Sequence, residues 1–235
     1  MIMSTIEQNL QAVRDSIAQA ALEAQRAPED VTLLAVSKTF GADAVLDAMR
    51  AGQAAFGENY LQEALDKIAA VGLALPQGAP AWHFIGPIQS NKTRPIAEHF
   101  DWVHTVEREK IAARLSEQRP AGMPDLNICL QVNISGEASK SGVTPADLPA
   151  LAHAVAQLPR LRLRGLMAIP EPETDVTLQR RAFAQLRALY EQLKTEGLAL
   201  DTLSMGMSAD LRAAVLEGAT IVRVGSAIFG SRNYS

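Results

Sequence analysis

Residues 31–38 read Val31-Thr32-Leu33-Leu34-Ala35-Val36-Ser37-Lys38, a short apolar run rich in β-branched residues that ends on a cation. Similar runs recur at residues 54–59, 82–86, 102–106, 126–134, 163–169, 202–207 and 220–225. Each is nearly continuously apolar rather than alternating, the pattern of a parallel strand covered on both faces. Helical stretches lie between them, at residues 42–51, 60–71, 91–100, 108–118, 145–158, 177–197 and 209–217. Eight such units in sequence, with no gap long enough for a linker, predict an α/β fold in the form of a closed (β/α)8 barrel. An open doubly wound sheet is the competing arrangement, but it would have to accommodate all eight strands and leave edges.

Upstream of the first strand, Ser4-Thr5-Ile6-Glu7 has the form of a capping box. Ile6, Leu10, Val13, Ile17 and Leu22 follow at near-helical spacing, which predicts an added N-terminal helix within residues 4–27, closed by Pro28. With that helix the reading is one domain over residues 1–235. A chain of this length buries roughly 70% of its unfolded surface, so its core needs neither a disulfide nor a metal. Segments 76–80, 119–124 and 170–172 read as surface loops.

Apolar residues make up 48% of the 235 and charged residues 20%, which excludes wholesale disorder. Lys plus Arg number 22 against 26 Asp plus Glu, a net charge of −4. That balance argues against nucleic acid or an anionic membrane as partner, because both demand a basic face. Cys129 stands alone, the N-terminus shows no basic region followed by an apolar run, and no stretch approaches the roughly 18 apolar residues of a membrane span. A cytoplasmic location is the expectation. The four histidines form no cluster with metal-ligand spacing, so no metal is expected. Gly225–Gly230 has the glycine spacing of a phosphate-binding P-loop, but Ser231-Arg232 stands where that motif needs Lys-Ser or Lys-Thr.

In a barrel of this kind the functional groups sit at the C-terminal ends of the strands. Those positions hold Lys38, Glu58-Asn59, Gly86-Pro87, Met207-Ser208, and Arg223 with Gly225-Ser226. Lys38 ends an apolar run, so desolvation favours the neutral amine that a Schiff base requires. A lysine that snorkels into water is the plainer reading of that residue alone. Ser208 stands directly before a helical run as an N-cap would, and Gly225-Ser226 supplies a loop where backbone can approach an anion. A rim lysine beside a phosphate cradle points to a phosphorylated carbonyl compound held as an imine. Arg223, inside Ile221-Val222-Arg223-Val224, is either an interior ion pair, with Glu58 the candidate partner, or a donor to a cofactor ring nitrogen. His83 reads as a satisfied interior histidine rather than a general base.

Seven segments together carry a family resemblance: Ala35-Val36-Ser37-Lys38-Thr39, the stretch Phe56-Gly57-Glu58-Asn59-Tyr60-Leu61-Gln62-Glu63, and Trp82-His83-Phe84-Ile85-Gly86-Pro87-Ile88-Gln89-Ser90-Asn91-Lys92. They continue with Gln131-Val132-Asn133-Ile134, Gly165-Leu166-Met167-Ala168-Ile169-Pro170, Leu203-Ser204-Met205-Gly206-Met207-Ser208 and the run from Val222 to Gly230. In these the chain resembles the pyridoxal 5′-phosphate homeostasis proteins, relatives of the N-terminal barrel of alanine racemase. The resemblance implies the fold-type III pyridoxal phosphate barrel and an internal aldimine between the cofactor and Lys38. It implies that Ser208, Gly225 and Ser226 hold the phosphate, that Arg223 faces the pyridine nitrogen, and that Asn59 lines the pocket near the lysine. Lys140 reads more simply as an exposed loop lysine than as a second cofactor contact.

A guanidinium keeps its proton, so an arginine opposite the ring nitrogen leaves that nitrogen unprotonated and weakens the cofactor as an electron sink. The racemase relatives add a β-rich domain carrying a tyrosine base, and the reading expects neither here. The leading expectation is a cofactor-binding protein of intracellular vitamin B6 and of amino-acid and keto-acid balance, with no catalytic residue. It would be monomeric rather than an obligate oligomer and would pass the cofactor transiently to apoenzymes. A small racemase or lyase, with His83 or Tyr60 as base, is the enzymatic alternative. A Schiff-base aldolase acting on a sugar phosphate is the third.

Overall fold

The computed structural model describes residues 4–136 and 141–230, so Lys140 lies outside the described residues. The strands are β1 (Thr32–Val36), β2 (Ala55–Glu58), β3 (Ala81–Phe84), β4 (Trp102–Val106), β5 (Leu126–Gln131), β6 (Leu161–Met167), β7 (Thr202–Ser204) and β8 (Ile221–Val224). All pair in parallel with their sequence neighbours, and β8 returns to β1 with Arg223 beside Leu34, which closes the barrel. The helices are α1 (Thr5–Glu23), α2 (Ala42–Arg50), α3 (Leu61–Ala74), α4 (Thr93–His99), α5 (Glu109–Gln118), α6 (Leu148–Ala156), α7 (Val176–Thr195), α8 (Leu211–Leu216) and α9 (Ser226–Phe229). Among the described residues no helix is long and apolar enough to cross a membrane.

The barrel has two interiors. The large apolar core lies between the strands and the helices, where Ala35, Phe56, Val103, Ile128 and Val222 meet Val45, Ala64, Ile96 and Leu115. A separate, small cluster of Leu34, Ala55 and Ile221, with Ala81, Ile85 and Trp102 packed on it, comes from the alternate positions that face the lumen. Burial on both faces is why the strands read as continuous apolar runs.

The capping box forms as expected: Ser4 Oγ accepts from the Glu7 amide at 3.1 Å, and Glu7 Oε2 accepts from the Ser4 amide. Leu10, Val13 and Ile17 are buried, but Leu22 is 67% exposed and is not part of the packed stripe. The helix ends at Glu23, ahead of Pro28, because Gln25 turns into the left-handed region at φ 56°. Pro28 instead opens a 3-10 turn over Pro28–Asp30. Asn9 donates to the Ile228 carbonyl and Arg26 to the carbonyls of Val215 and Ala219, tying α1 to the last strand–helix unit. Arg119 is also less exposed than its loop suggested. Its guanidinium is buried on the carbonyls of Ala97, Phe100 and Pro124.

Candidate functional site

Lys38 follows β1 in the inward alternation of Leu34 and Val36, while its neighbour Ser37 turns outward and is fully buried. The chain then makes a tight turn in which the Phe40 amide donates to the Ser37 carbonyl at 3.1 Å. Thr39 sits in that turn at φ 68°, a conformation that a β-branched residue adopts only under constraint. The constraint is a buried polar network behind the barrel wall. Lys67 Nζ, on α3, donates to the Ser37 carbonyl at 2.8 Å, to Glu58 Oε1 at 2.6 Å and to Glu63 Oε1 at 3.1 Å. Ser37 Oγ donates to the same Glu58 oxygen at 2.6 Å, and the Thr39 amide donates to Glu63 Oε1 at 2.6 Å. Both residues flanking Lys38 are therefore tethered to one ion-pair cluster. Burial pushes the Glu58 carboxyl above the usual range, against the pull of Lys67 and Ser37.

Asn59 follows Glu58 at the end of β2, and its Oδ1 is buried without a hydrogen-bond partner. Gly86, after β3, lets the chains come this close: a Cβ there would stand 2.2 Å from the Asn59 carbonyl oxygen. Opposite, Arg223 is buried and donates through Nη1 to Ser204 Oγ at 2.8 Å and through Nη2 to the Ala168 carbonyl at 3.1 Å. Burial lowers the guanidinium to about 10, still cationic at neutral pH. The Glu58–Arg223 pair considered from sequence does not form, because Glu58 turns outward to Lys67 while Arg223 turns into the lumen.

The last loops also depart from expectation. Ser208 is exposed and is not the cap of α8; that position is Asp210. Asp210 Oδ1 accepts from the Met207 amide at 2.6 Å while the Asp210 amide donates to the Met207 carbonyl, so the chain spends residues 207–210 in a closed turn before the helix can start. Strand β7 likewise stops at Ser204, ahead of Gly206, which stands at φ 97° and where a Cβ would lie 2.5 Å from Ala214 Cβ, so the position admits only glycine. At the other loop, Gly225 directly precedes the short helix α9, and Phe229 packs its ring against Phe40 at 5.2 Å.

Lys38, Asn59, Ser208, Arg223, Gly225 and Ser226 all line one cleft of about 410 Å³, together with Val36, Ile85, Ile169 and Met207. A cleft of about 470 Å³ lies at the opposite end, between α1 and the start of β1 and β2. Its polar groups are already engaged: Arg14 on the Ala51 carbonyl, Gln53 on the carbonyls of Leu33 and Ala55. Neither His83 nor Tyr60, the two bases considered from sequence, lines the mouth cleft. His83 is buried in the lumen on His104, and Tyr60 is half exposed.

Several residues that shape the site escaped the sequence reading. Lys67 stands with Ala64 and Val71 on the buried stripe of α3, and a lysine at that spacing was a legible sign of a buried partner. Ser204 and His104 hold inward positions of β7 and β4, in register with the lumen.

The family model for the alanine racemase N-terminal domain matches residues 7–233. The pyridoxal phosphate homeostasis protein of Pseudomonas aeruginosa is 65% identical over 232 residues, covering 99% of this chain and 98% of that protein. This chain belongs to that family. The protein of the same name from Escherichia coli K12 is 54% identical over 99% of both chains. Among solved structures, PipY of Synechococcus elongatus is 38% identical and covers 96% of this chain and 100% of its own. It superposes with a TM-score of 0.84 without PLP and 0.82 with PLP bound.

Proposed function

We propose that this chain binds pyridoxal 5′-phosphate in the mouth cleft, with Lys38 as its covalent anchor, and keeps intracellular vitamin B6 and the amino-acid and keto-acid pools in balance. The observation that carries the reading is the convergence of Lys38, Asn59, Ser208, Arg223, Gly225 and Ser226 on one cleft. The donor set fits the group: an amine for its aldehyde, a hydroxyl and two backbone amides at Ser208, Gly225 and Ser226 for its phosphate, and a guanidinium for its ring nitrogen. The unpartnered Asn59 Oδ1 is a buried acceptor in want of a donor, as a ligand-lined wall would have.

When bound, the cofactor supplies a reactive carbonyl and an electron-withdrawing ring. Arg223 has donors only, so it engages the ring nitrogen without giving it a proton. Val36, Ile85, Ile169 and Met207 give the cleft around Lys38 its apolar wall. No base among the candidates considered reaches the cleft, which favours holding and delivery over turnover. We propose a monomer working in the cytoplasm that hands the cofactor transiently to apoenzymes, with no nucleic-acid or membrane partner.

The test is the visible spectrum of the purified protein after addition of pyridoxal phosphate, followed by borohydride reduction and peptide mapping. The expected result is a yellow protein whose reduced adduct maps to Lys38, with both signals lost in Lys38→Ala. An unchanged yellow species in that variant would remove Lys38 from the assignment. Deuterium exchange at the α-carbon of a panel of amino acids tests for turnover. Exchange at about 1 s⁻¹ or faster would make the chain a racemase or lyase instead.

A further inference from the structure

The lumen below the cleft holds a chain of polar side chains for which cofactor holding has given no role. Arg223 Nη1 lies 2.8 Å from Ser204 Oγ, Ser204 Oγ lies 2.8 Å from His104 Nδ1, and His104 Nε2 lies 2.8 Å from His83 Nδ1. All four are buried, and the chain ends where the His83 ring stacks on Trp102 at 5.2 Å. Four strands, β3, β4, β7 and β8, and long sequence separations build it, so it owes nothing to local turn chemistry.

The direction of each hydrogen bond follows from the first. A guanidinium can only donate, so Ser204 Oγ accepts from Arg223. Among the described residues the Ser204 hydroxyl hydrogen then has one partner within reach, His104 Nδ1, which must be an acceptor. A neutral His104 therefore carries its proton on Nε2 and donates to His83 Nδ1, which leaves the His83 proton on its own Nε2. The opposite order would strand the Ser204 hydroxyl hydrogen in a fully buried site, at the desolvation cost of an unpaired donor. Burial, the neighbouring His83 and the Arg223 charge hold His104 well below the ordinary histidine range, and burial lowers His83 to about 3, so neither supplies a second cation. The other titratable groups that interact with Arg223 are Cys129, whose thiol burial pushes up to about 12, and Asp210.

We propose that Ser204 and His104 are positioning residues for Arg223, acting through a one-way relay in which both imidazoles are neutral Nε2–H tautomers. The relay occupies one N–H of Nη1, and the Ala168 carbonyl occupies one of Nη2. The guanidinium is thus fixed in its plane, and its remaining donors are presented to the cleft in one orientation. The relay itself is a property of the chain alone. Its effect on the ligand rests on the proposed pyridoxal phosphate reading.

Two measurements test it. In the protein labelled with 15N-histidine and free of cofactor, long-range 1H–15N correlation at pH 7 is expected to show His104 and His83 as neutral Nε2–H tautomers, unchanged at pH 5.5. An Nδ1–H tautomer at His104, or an ordinary titration near pH 6.5, would overturn the relay. In Ser204→Ala the His104 signals are expected to shift while those of His99 and His153 stay in place. Pyridoxal phosphate is expected to bind about tenfold more weakly with an altered visible band, and Ser204→Thr is expected to restore both. Unchanged affinity and band in a folded Ser204→Ala would refute the positioning role. If the unaltered protein fails to bind pyridoxal phosphate at Lys38, the cofactor reading falls, and the tautomers still decide the relay.

Discussion

Two buried polar networks flank the cleft, and they handle a buried cation in opposite ways. Behind the wall, Lys67 meets two carboxylates, Glu58 and Glu63, and the cluster is spent on fixing the backbone either side of Lys38. In the lumen, among the described residues, Arg223 hydrogen-bonds to a serine hydroxyl and a backbone carbonyl, and Asp210 acts on it through space. A compensated charge builds structure. A charge steadied by neutral dipoles is still available to an incoming acceptor, which is what a ligand site needs. The two networks also differ in what they position: the first a turn of main chain, the second the plane of one side chain.

The sharpest way to break the comparison is to remove the wall's cation. Lys67→Met strands Glu58 in a buried site, and denaturant unfolding is expected to show a loss of about 3–5 kcal/mol. Adding Glu58→Gln to it is expected to recover part of that loss, because the uncompensated charge goes with it. Equal stability of the single variant and the parent would mean that the cluster is not closed.

Acidification separates the networks by sign. His83 and His104 bind protons less readily folded than unfolded, so their contribution to stability is complete above about pH 6.5 and is lost as pH falls toward the folded values. The limiting slope is about 1.4 kcal/mol per pH unit for each histidine. Glu58, raised in the folded state, works the other way and gains stability as pH falls. Glu58→Gln is therefore expected to steepen the loss of melting temperature between pH 6 and 4, and His104→Asn to flatten it. A pH-independent melting temperature in the parent would contradict the neutral relay.

Thr39→Gly carries the smallest effect. It relieves a left-handed β-branched residue but frees the unfolded chain, so stability is expected to change by less than about 1 kcal/mol in either direction. The rate of cofactor uptake, followed by absorbance, should respond more than stability does, because the turn that aims Lys38 loses its stiffness.

Much of this was legible residue by residue. The runs ending at Lys38, Asn59, Met207 and Gly225 marked barrel strands, and reading the positions at and just past their ends brought out six of the residues that line the cleft. The cap of α8 was misread because Ser208 has the right chemistry for the position, while the Asp210 turn that displaces it depends on a contact with the Met207 amide. Pro28 was read as a helix stop, although the stop lies earlier, at the left-handed Gln25.

The sequence by itself determined the alternation of strand and helix, the barrel, and which side chains stand at its mouth, because these follow from period and polarity along the chain. Only the tertiary structure decided what those side chains hold on to. Glu58 had Arg223 and Lys67 as possible partners, and the choice turned on which face of a strand each residue takes once the barrel closes. His83, His104 and Ser204 are distant in sequence and come into line only across the lumen, where shear and register bring three strands together.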